Sequence, residues 1–201
     1  MFVIVRHGNT FAAGEQPRRI GARTDLPLTA QGQAQAEALG AHFAALGWRF
    51  SRVLTSPLLR TRATAQAIVA AQSDIPVPES CDWLAEIDHG PDEDKDEATV
   101  LGRIGHDALA AWDAHALPPP DWRVDAEQRL SGWRALFASP ADGPILLVTS
   151  NGAARFALLA DPALQAAMRD MPGLKLPTGA YGLLRRDARG QLEIAAWGQR
   201  P

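Results

Sequence analysis

Three short runs of mainly apolar, β-branched residues divide the chain, and polar residues follow each of them. They are FVIV at residues 2–5, RVLT at 52–55 and ILLVT at 145–149, as expected for short strands buried on both faces. Segments with an apolar stripe at helical spacing come after each run. This alternation predicts an α/β fold, a three-layer α/β/α sandwich with a mostly parallel central sheet.

Capping residues mark where the predicted helices begin. Thr29 is placed to cap a helix over residues 30–46, and Ser56 followed by Pro57 predicts a helix that runs to about residue 71. The remaining elements are predicted as helices over 98–116, over 126–138 and from Gly152, and as a hairpin with strands at 181–186 and 191–197. Residues 8–27 and 73–96 lack periodicity and are predicted to be irregular.

Length and composition indicate one ordinary globular domain. The 201 residues fit a single domain, and we expect a helical insertion at about residues 86–140 to pack over one end of the sheet. The net charge of −3 argues against a nucleic-acid or anionic membrane surface. No apolar stretch approaches a membrane span and no signal peptide is evident, so we expect a cytoplasmic protein without membrane or nucleic-acid partners. Its oligomeric state is open, with a homodimer as one alternative.

A histidine follows the first predicted strand directly. In VRHGNT (residues 5–10), Arg6 and His7 lie where the strand ends, and Gly8 permits close approach of a ligand. A guanidinium binds phosphate oxygens in pairs and favours the neutral, nucleophilic form of an adjacent imidazole. The alternative is a histidine that caps a strand beside a surface arginine.

Two further stretches carry groups suited to phosphate chemistry. In TSPLLRTRATA (residues 55–65), Arg60 and Arg62 lie on opposite sides of a helix, so only one can face a site at its start. In LAEIDHG (residues 84–90), Glu86 lies between apolar residues, where a desolvated carboxyl can stay protonated and act as a general acid. The alternative for Glu86 and His89 is an ordinary surface role.

These stretches, with RTDLPLTAQGQAQA at residues 23–36, resemble the histidine phosphatase superfamily in order and spacing, in the branch similar to phosphoglycerate mutase. The resemblance implies that fold and a phosphohistidine on His7. It implies that Arg6 and Arg60 clamp the phosphoryl oxygens and that Glu86 serves as acid and then base. It implies neither a metal nor a cofactor. The substrate-binding residues expected on this basis are Asn9, Thr10, Arg23, Ser150 and Asn151.

One position departs from the family pattern. The strand at 145–149 leads in the family to a second histidine and then glycine, whereas Ser150 and Asn151 stand here. We weigh three alternatives. In the first, Ser150 or Asn151 still donates a hydrogen bond beside the following helix N-terminus, and Ser150 can cap that helix. In the second, His89 or Arg155 supplies the missing charge, which we regard as less favoured. In the third, the site binds phosphate compounds without turnover.

We therefore expect hydrolysis of a small phosphomonoester. A mutase must hold a phosphorylated intermediate away from water and usually has extra basic residues over its pocket. Here the acidic run at residues 92–97 follows Glu86 and would repel a polyanion if it lies at the pocket mouth, although such a run is more often a solvated face. Arg18 and Arg19 are further candidates for substrate contact. A phosphate-binding sensor or scaffold and a mutase are the alternatives.

Overall fold

The computed structural model describes residues 1–73 and 76–201, and in this part of the chain it contains one six-stranded sheet flanked by helices. The strands are β1 (Phe2–Arg6), β2 (Arg52–Thr55), β3 (Glu79–Ser80), β4 (Ile145–Thr149), β5 (Tyr181–Arg186) and β6 (Leu192–Gln199). The helices are α1 (Ala30–Ala45), α2 (Leu59–Ala70), α3 (Glu97–His115), α4 (Ala126–Ala138), α5 (Asn151–Leu159) and α6 (Pro162–Ala167). Single 3₁₀ turns occupy Asp82–Leu84, Gly90–Asp92 and Met168–Asp170.

The sheet order is β3-β2-β4-β1-β5-β6. Strands β1 to β4 pair in parallel, and the hairpin of β5 and β6 adds two antiparallel strands beside β1. The mostly parallel sheet and the C-terminal hairpin predicted from the sequence are thus confirmed. Because β4 is inserted between β1 and β2, the ends of β1 and β4 meet at a point where the strand order reverses, which is where open α/β sheets bind ligands.

Alternating side chains of the strands build two cores, one on each face of the sheet. Val3 and Val5 of β1 pack with Leu39 and Phe43 of α1 on one face. On the other face, Ile4 packs into a larger cluster with residues of α3 to α6. The period-two alternation of strand side chains therefore serves both helical layers, and the three-layer sandwich predicted from the sequence is confirmed.

Helix α2 begins two residues later than the capping pattern predicted. Its N-cap is Leu58 rather than Ser56, so the prediction of Pro57 as first helical residue was wrong. Ser56 is fully buried, and its hydroxyl accepts hydrogen bonds from Leu58 N and from Thr61 Oγ1 in the turn before the helix. The free N–H of Leu59 is bound instead by the Asp25 carboxylate at 2.8 Å, a contact across 34 residues that local pattern does not show.

The acidic run is solvated only in part, because Asp94 and Glu97 are exposed whereas Asp92 is buried. Asp92 is buried and binds Arg103 and the Trp122 indole, Asp94 pairs with Arg18, Asp96 caps α3 through Thr99 N, and Glu97 pairs with Arg19. These carboxylates fasten the loop after β1 to the start of α3. The segment predicted to be irregular, 73–96, is largely so apart from β3 and two 3₁₀ turns, with Asp74 and Ile75 outside the described residues.

Three tryptophans between residues 112 and 133 belong to the core. Trp112 in α3 is 2% exposed, Trp122 in the segment before α4 is 7% exposed, and Trp133 in α4 is 0% exposed. All three lie in the larger core cluster. Among the described residues, no helix has the length and apolar character needed to cross a membrane. The predicted insertion at 86–140 contains α3 and α4 and stays a prediction as a unit.

Glu93 is the anchor of the loop that follows β1, and its loss should be costly. Its carboxylate accepts hydrogen bonds from Gly21 N (2.9 Å), Arg23 N (3.0 Å), Thr24 Oγ1 (2.8 Å) and His89 N (3.1 Å). Burial alone would raise the pKa of Glu93, but these bonds and the nearby His89 ring lower it to about 2. We expect Glu93→Gln to reduce the free energy of unfolding by about 3 kcal/mol at pH 7, because buried donors lose a charged acceptor.

The sign of the pH dependence follows from the lowered pKa. Glu93 contributes stability fully above the ordinary pKa of 4.5, and this contribution is lost as the pH falls through 4.5 towards about 2. Urea unfolding at pH 7 and at pH 3 checks this, with the exposed Glu127→Gln as control, which should change stability by less than about 0.5 kcal/mol. Equal stability of Glu93→Gln and the wild type at pH 7 would contradict the anchoring role.

Candidate active site

The ends of β1 and β4 open into one cavity of about 640 Å³. His7 and Arg6 come from the end of β1, Asn151 and Gly152 from the start of α5, and Glu86 from the loop after the first 3₁₀ turn. The structure thus brings together residues that are up to 146 positions apart in the sequence. Parallel strands place their carboxyl ends on the same edge of the sheet, and this explains the convergence.

His7 is held in one tautomer. Its ring is 3% exposed, and Nδ1 lies 2.7 Å from the carbonyl oxygen of Gly8. A carbonyl oxygen can only accept, so Nδ1 carries the proton and Nε2 keeps its lone pair. Burial, followed by the charges of Arg60 and Arg6, lowers the pKa of His7 well below its usual 6.5, against a smaller opposing effect of the Gly8 carbonyl. The ring is therefore neutral and nucleophilic at physiological pH.

We expect the His7 ring to remain neutral at pH 6.5, where an ordinary imidazole is half protonated. The ring signals in a heteronuclear NMR titration, assigned by their loss in His7→Ala, measure this directly among the five histidines. Because the pKa of His7 is lowered in the folded state, the unfolded chain binds a proton at this residue at pH values where the folded chain does not. The contribution of His7 to stability is thus full above pH 6.5 and declines below it. A midpoint at or above 6.5 would contradict this assignment.

Arg6 and Arg60 occupy different places around His7. Arg6 lines the cavity and donates from Nη1 to the carbonyl oxygen of Leu176 at 2.9 Å. Burial lowers the pKa of Arg6 to about 10, which leaves the group cationic. Arg60 is fully buried outside the cavity lining, and its two Nη atoms donate to the carbonyl oxygens of Thr24 and Gly21. Of the two arginines in this motif, Arg60 is the buried one, as expected, and Arg62 is exposed. The guanidinium of Arg60 nevertheless binds the loop that follows β1 and does not line the cavity.

Glu86 enters the cavity as a carboxylate. It is 7% exposed, and it accepts from Ile87 N at 2.9 Å and from Gly152 N, in the first turn of α5, at 3.2 Å. Burial alone would raise the pKa of Glu86, but His89, the two backbone donors and Arg60 together hold it below its usual range. The sequence predicted a carboxyl kept protonated by desolvation. The structure instead surrounds it with groups that keep it ionised, because the helix N-terminus and the cations outweigh burial.

Ser150 and Asn151, at the start of α5, differ in their access to the cavity. Ser150 is at the N-cap position of α5 but makes no capping bond, and its fully buried Oγ has no partner among the described residues. It lies outside the cavity lining. Asn151 lines the cavity, and its Oδ1 accepts from Leu176 N at 2.8 Å, so its amide group can still donate.

The mouth of the cavity carries both signs of charge. Asn9, Thr10, Arg18 and Arg19 line it, as the sequence suggested, and Glu15 and Glu97 lie beside the arginines. The other side is formed by Lys175, Pro177 and Thr178, which precede β5 and which the sequence analysis did not identify. No sequence motif marks Lys175, because its position at the cavity depends on where the fold places the segment before β5.

Arg23 lies outside this cavity. Its guanidinium binds Asp88 Oδ1 at 2.9 Å and the carbonyl oxygen of Gly90, beside a separate crevice that Asp121 and Arg123 also line. The expected substrate contact by Arg23 is therefore not formed in the structure. His89 lines the main cavity with its ring edge against Trp122. Within residues 1–73 and 76–201, no group of three or more His, Cys, Asp or Glu side chains is arranged to hold a metal ion.

Sequence comparison finds phosphatase and mutase relatives. The chain is 32% identical over 120 residues to the 2,3-bisphosphoglycerate-dependent phosphoglycerate mutase of Rhizobium etli, across 59% of this chain and 56% of that protein. It therefore spans little more than half the length of that relative. It is also 29% identical over 168 residues to the uncharacterized phosphatase PhoE of Bacillus subtilis, across 81% and 80% of the two chains.

Solved structures share the fold over the whole chain. A mycobacterial glucosyl-3-phosphoglycerate phosphatase superposes with a TM-score of 0.78 at 20% identity, covering 100% of this chain and 99% of that one. A putative α-ribazole-5'-P phosphatase of Escherichia coli gives 0.73 at 22% identity, covering 99% and 96%. At such identities these likenesses establish the fold, which is phosphoglycerate mutase-like.

The family itself is established by a match over nearly the full length. Residues 2–199 fit the model of the histidine phosphatase superfamily, branch 1. This range includes every motif on which the sequence resemblance depends, from residues 5–10 to residues 84–90. The chain belongs to the histidine phosphatase superfamily.

Proposed function

We propose that the protein is a phosphomonoester hydrolase that acts through a phosphohistidine on His7 and without a metal ion. The observation that carries this proposal is the state of the His7 ring. Nδ1–H is bound to the Gly8 carbonyl, which leaves the Nε2 lone pair free in a cavity that also presents Arg6 and Glu86. A neutral, oriented imidazole beside a cation is what nucleophilic attack on a phosphoryl group requires.

In the first step, His7 Nε2 forms a bond to phosphorus while the bond from phosphorus to the ester oxygen breaks. The electron pair of that bond goes to the leaving oxygen, which takes a proton from Glu86. Arg6 and the amide group of Asn151 bind phosphoryl oxygens, and Arg60 contributes its buried charge from behind His7. Charge stabilisation of this kind supplies most of the catalysis in phosphoryl transfer.

Glu86 needs a proton before it can act, and the substrate supplies it. A phosphomonoester monoanion carries one acidic proton on its phosphoryl group. When its negative charge comes to lie beside Arg6, that cation stabilises the Glu86 carboxylate less, and the pKa of Glu86 rises. The proton then passes to Glu86 and on to the leaving alcohol.

In the second step, water replaces the leaving alcohol. Glu86, now a carboxylate, takes a proton from the water as its oxygen bonds to phosphorus, and the bond from phosphorus to Nε2 breaks. Glu86 then returns its proton to the phosphate, which leaves as the monoanion, and the neutral imidazole and the Glu86 carboxylate are restored. Glu86 is placed for this role because its carboxylate lines the same cavity as His7.

Hydrolysis is favoured over mutase activity by the mouth of the cavity. Arg18 and Arg19 are paired with Asp94 and Glu97, and Glu15 adds a further carboxylate. A mutase has to keep a negatively charged phosphorylated intermediate bound in its cavity. Arginines that are already paired with carboxylates attract such an anion only weakly. Substrate contacts are assigned in this proposal to Asn9, Thr10 and Asn151.

The deciding experiment is turnover by the purified protein on a panel of phosphomonoesters in the presence of a chelator. Rapid quenching during turnover should trap one phosphoryl group on His7 that is stable in alkali and labile in acid. Phosphate release without such a species would overturn the histidine mechanism. Binding of inorganic phosphate without any turnover would instead favour a phosphate sensor or scaffold.

A further inference from the structure

Arg155 is a fully buried cation directly behind the cavity wall. It lies in α5, and its guanidinium carbon is 4.4 Å from the centre of the Trp112 ring, which lines the cavity. Nη1 donates to the carbonyl oxygen of Trp112. Nη2 is 3.6 Å from Asp113 Oδ1, beyond a hydrogen bond, and that carboxylate is 72% exposed. Within the described residues, neither Nε nor Nη2 has a hydrogen-bond partner.

A second buried arginine nearby shows the contrast. Arg129 of α4 donates to the carbonyl oxygens of Val124, Trp83, Ala85 and Glu86, and so it holds the loop that carries the acid. Its donors are thus accounted for by a structural task. A buried guanidinium with two nitrogens that lack hydrogen-bond partners needs a different explanation, because unpaired buried donors destabilise the folded protein.

The charges around the base of the cavity supply that explanation. Four guanidiniums lie close enough to Glu86 to interact with its charge, those of Arg6, Arg60, Arg129 and Arg155. Two of them have a further carboxylate nearby, but both carboxylates are well exposed: Asp25, 3.8 Å from Arg60, is 39% exposed, and Asp113 is 72% exposed. Because solvent screens exposed charges more than buried ones, the buried groups leave a surplus of positive charge at the base of the cavity. Such a surplus suits a phosphate dianion, and at low local dielectric it acts across several ångströms.

We propose that Arg155 is a further cation of the phosphoryl site, which attracts a doubly charged phosphoryl group through the Trp112 wall without touching it. Burial lowers the pKa of Arg155, partly offset by Asp113 and Glu86, and its charge in turn lowers the pKa of Arg6. The inference rests on the proposed function, and it reverses the sequence-based preference against Arg155. It also accounts for a pocket that has serine at residue 150.

The test uses inorganic oxyanions and does not depend on turnover. The probes are tungstate, a tetrahedral dianion, and perrhenate, a tetrahedral monoanion, with dissociation constants measured by calorimetry. The interaction energy of a fixed charge with a dianion is twice its interaction energy with a monoanion. Removal of the charge should therefore raise the dissociation constant of tungstate by the square of the factor by which it raises that of perrhenate. We expect Arg155→Met to weaken tungstate about tenfold and perrhenate about threefold, and Arg155→Lys to keep most of both affinities.

Matched variants separate charge from structural damage. Arg134→Met removes one positive charge from an exposed position and should leave both affinities unchanged. Asp113→Asn leaves Arg155 in place, removes its counter-charge and should tighten tungstate about twofold. Equal losses for the two oxyanions in Arg155→Met, or no loss, would overturn the proposal. If Arg155→Met does not fold, an unchanged tungstate affinity in Asp113→Asn would do so.

A failed proposal for Arg155 and a failed proposal for the reaction give different results. If the protein binds tungstate more tightly than perrhenate through Arg155 but releases no phosphate from any ester, the hydrolase function fails and the cation assignment holds. If it hydrolyses esters through His7 while Arg155→Met binds both oxyanions like the wild type, the hydrolase function holds and the cation assignment fails.

Discussion

Substitution of His7 by alanine should reduce phosphomonoester turnover at least about 10⁴-fold, as expected when a covalent nucleophile is removed. Glu86 and Ser150 are not placed to replace it. Glu86 is bound to backbone donors at the start of α5, and Ser150 Oγ lies outside the cavity. Steady-state rates on the best substrate of the panel measure the effect, together with the loss of acid-labile phosphoryl label.

The control for this substitution is His106→Ala, at an exposed position of α3. It removes an imidazole from the same protein and should leave turnover unchanged. Inorganic phosphate should still bind to His7→Ala, because Arg6 and Asn151 remain in the cavity. Turnover by His7→Ala within tenfold of the wild type would refute the covalent mechanism.

Glu86→Gln is the second large effect, with kcat/KM, which reports the phosphorylation of His7 and not the later attack of water, reduced about 10²- to 10⁴-fold on alkyl phosphates. Glutamine keeps an acceptor for Ile87 N or Gly152 N but has no proton to give to the leaving oxygen. The loss should be much smaller for 4-nitrophenyl phosphate, whose leaving group departs as a stable anion. Comparison of the two substrates therefore separates lost proton donation from a general disturbance of the site.

Gly152→Ala offers an independent test of the same carboxylate. A Cβ at residue 152 would lie 2.3 Å from Glu86 Oε1, so the carboxylate has to move. We expect the same dependence on the leaving group as for Glu86→Gln, while Glu127→Gln at an exposed position leaves both rates unchanged. Equal losses on alkyl and aryl esters in Glu86→Gln would exclude its role as the acid.

Local sequence was sufficient for the frame of the molecule. The strands at residues 2–5 and 145–149 and the cap at Thr29 were predicted within a residue, because apolar β-branched runs and capping hydroxyls act over a few positions. The family motifs then identified His7, Arg6 and Glu86, which the structure collects in one cavity. What the sequence predicted well is set by short-range physics or by several motifs in a fixed order.

The rest depends on partners that are distant in the chain. The start of α2 depends on Asp25, and the Glu86 carboxylate accepts a hydrogen bond from Gly152 N, which is 66 positions away. The place of Arg23 follows from its bond to Asp88. Lys175 has no motif at all. Each of these contacts forms only in the folded molecule, and so no local pattern can reveal it.

The position of β4 in the middle of the sheet affects how this protein is made. β1 pairs with β4 and β5, and β2 pairs with β3 and β4. A nascent chain that has not yet reached residue 145 therefore holds β1 with neither neighbour, although β1 leaves the ribosome first. Strand β1 therefore stays unpaired until β4 has been synthesised. During that interval its apolar side chains are exposed to misassociation and accessible to chaperones.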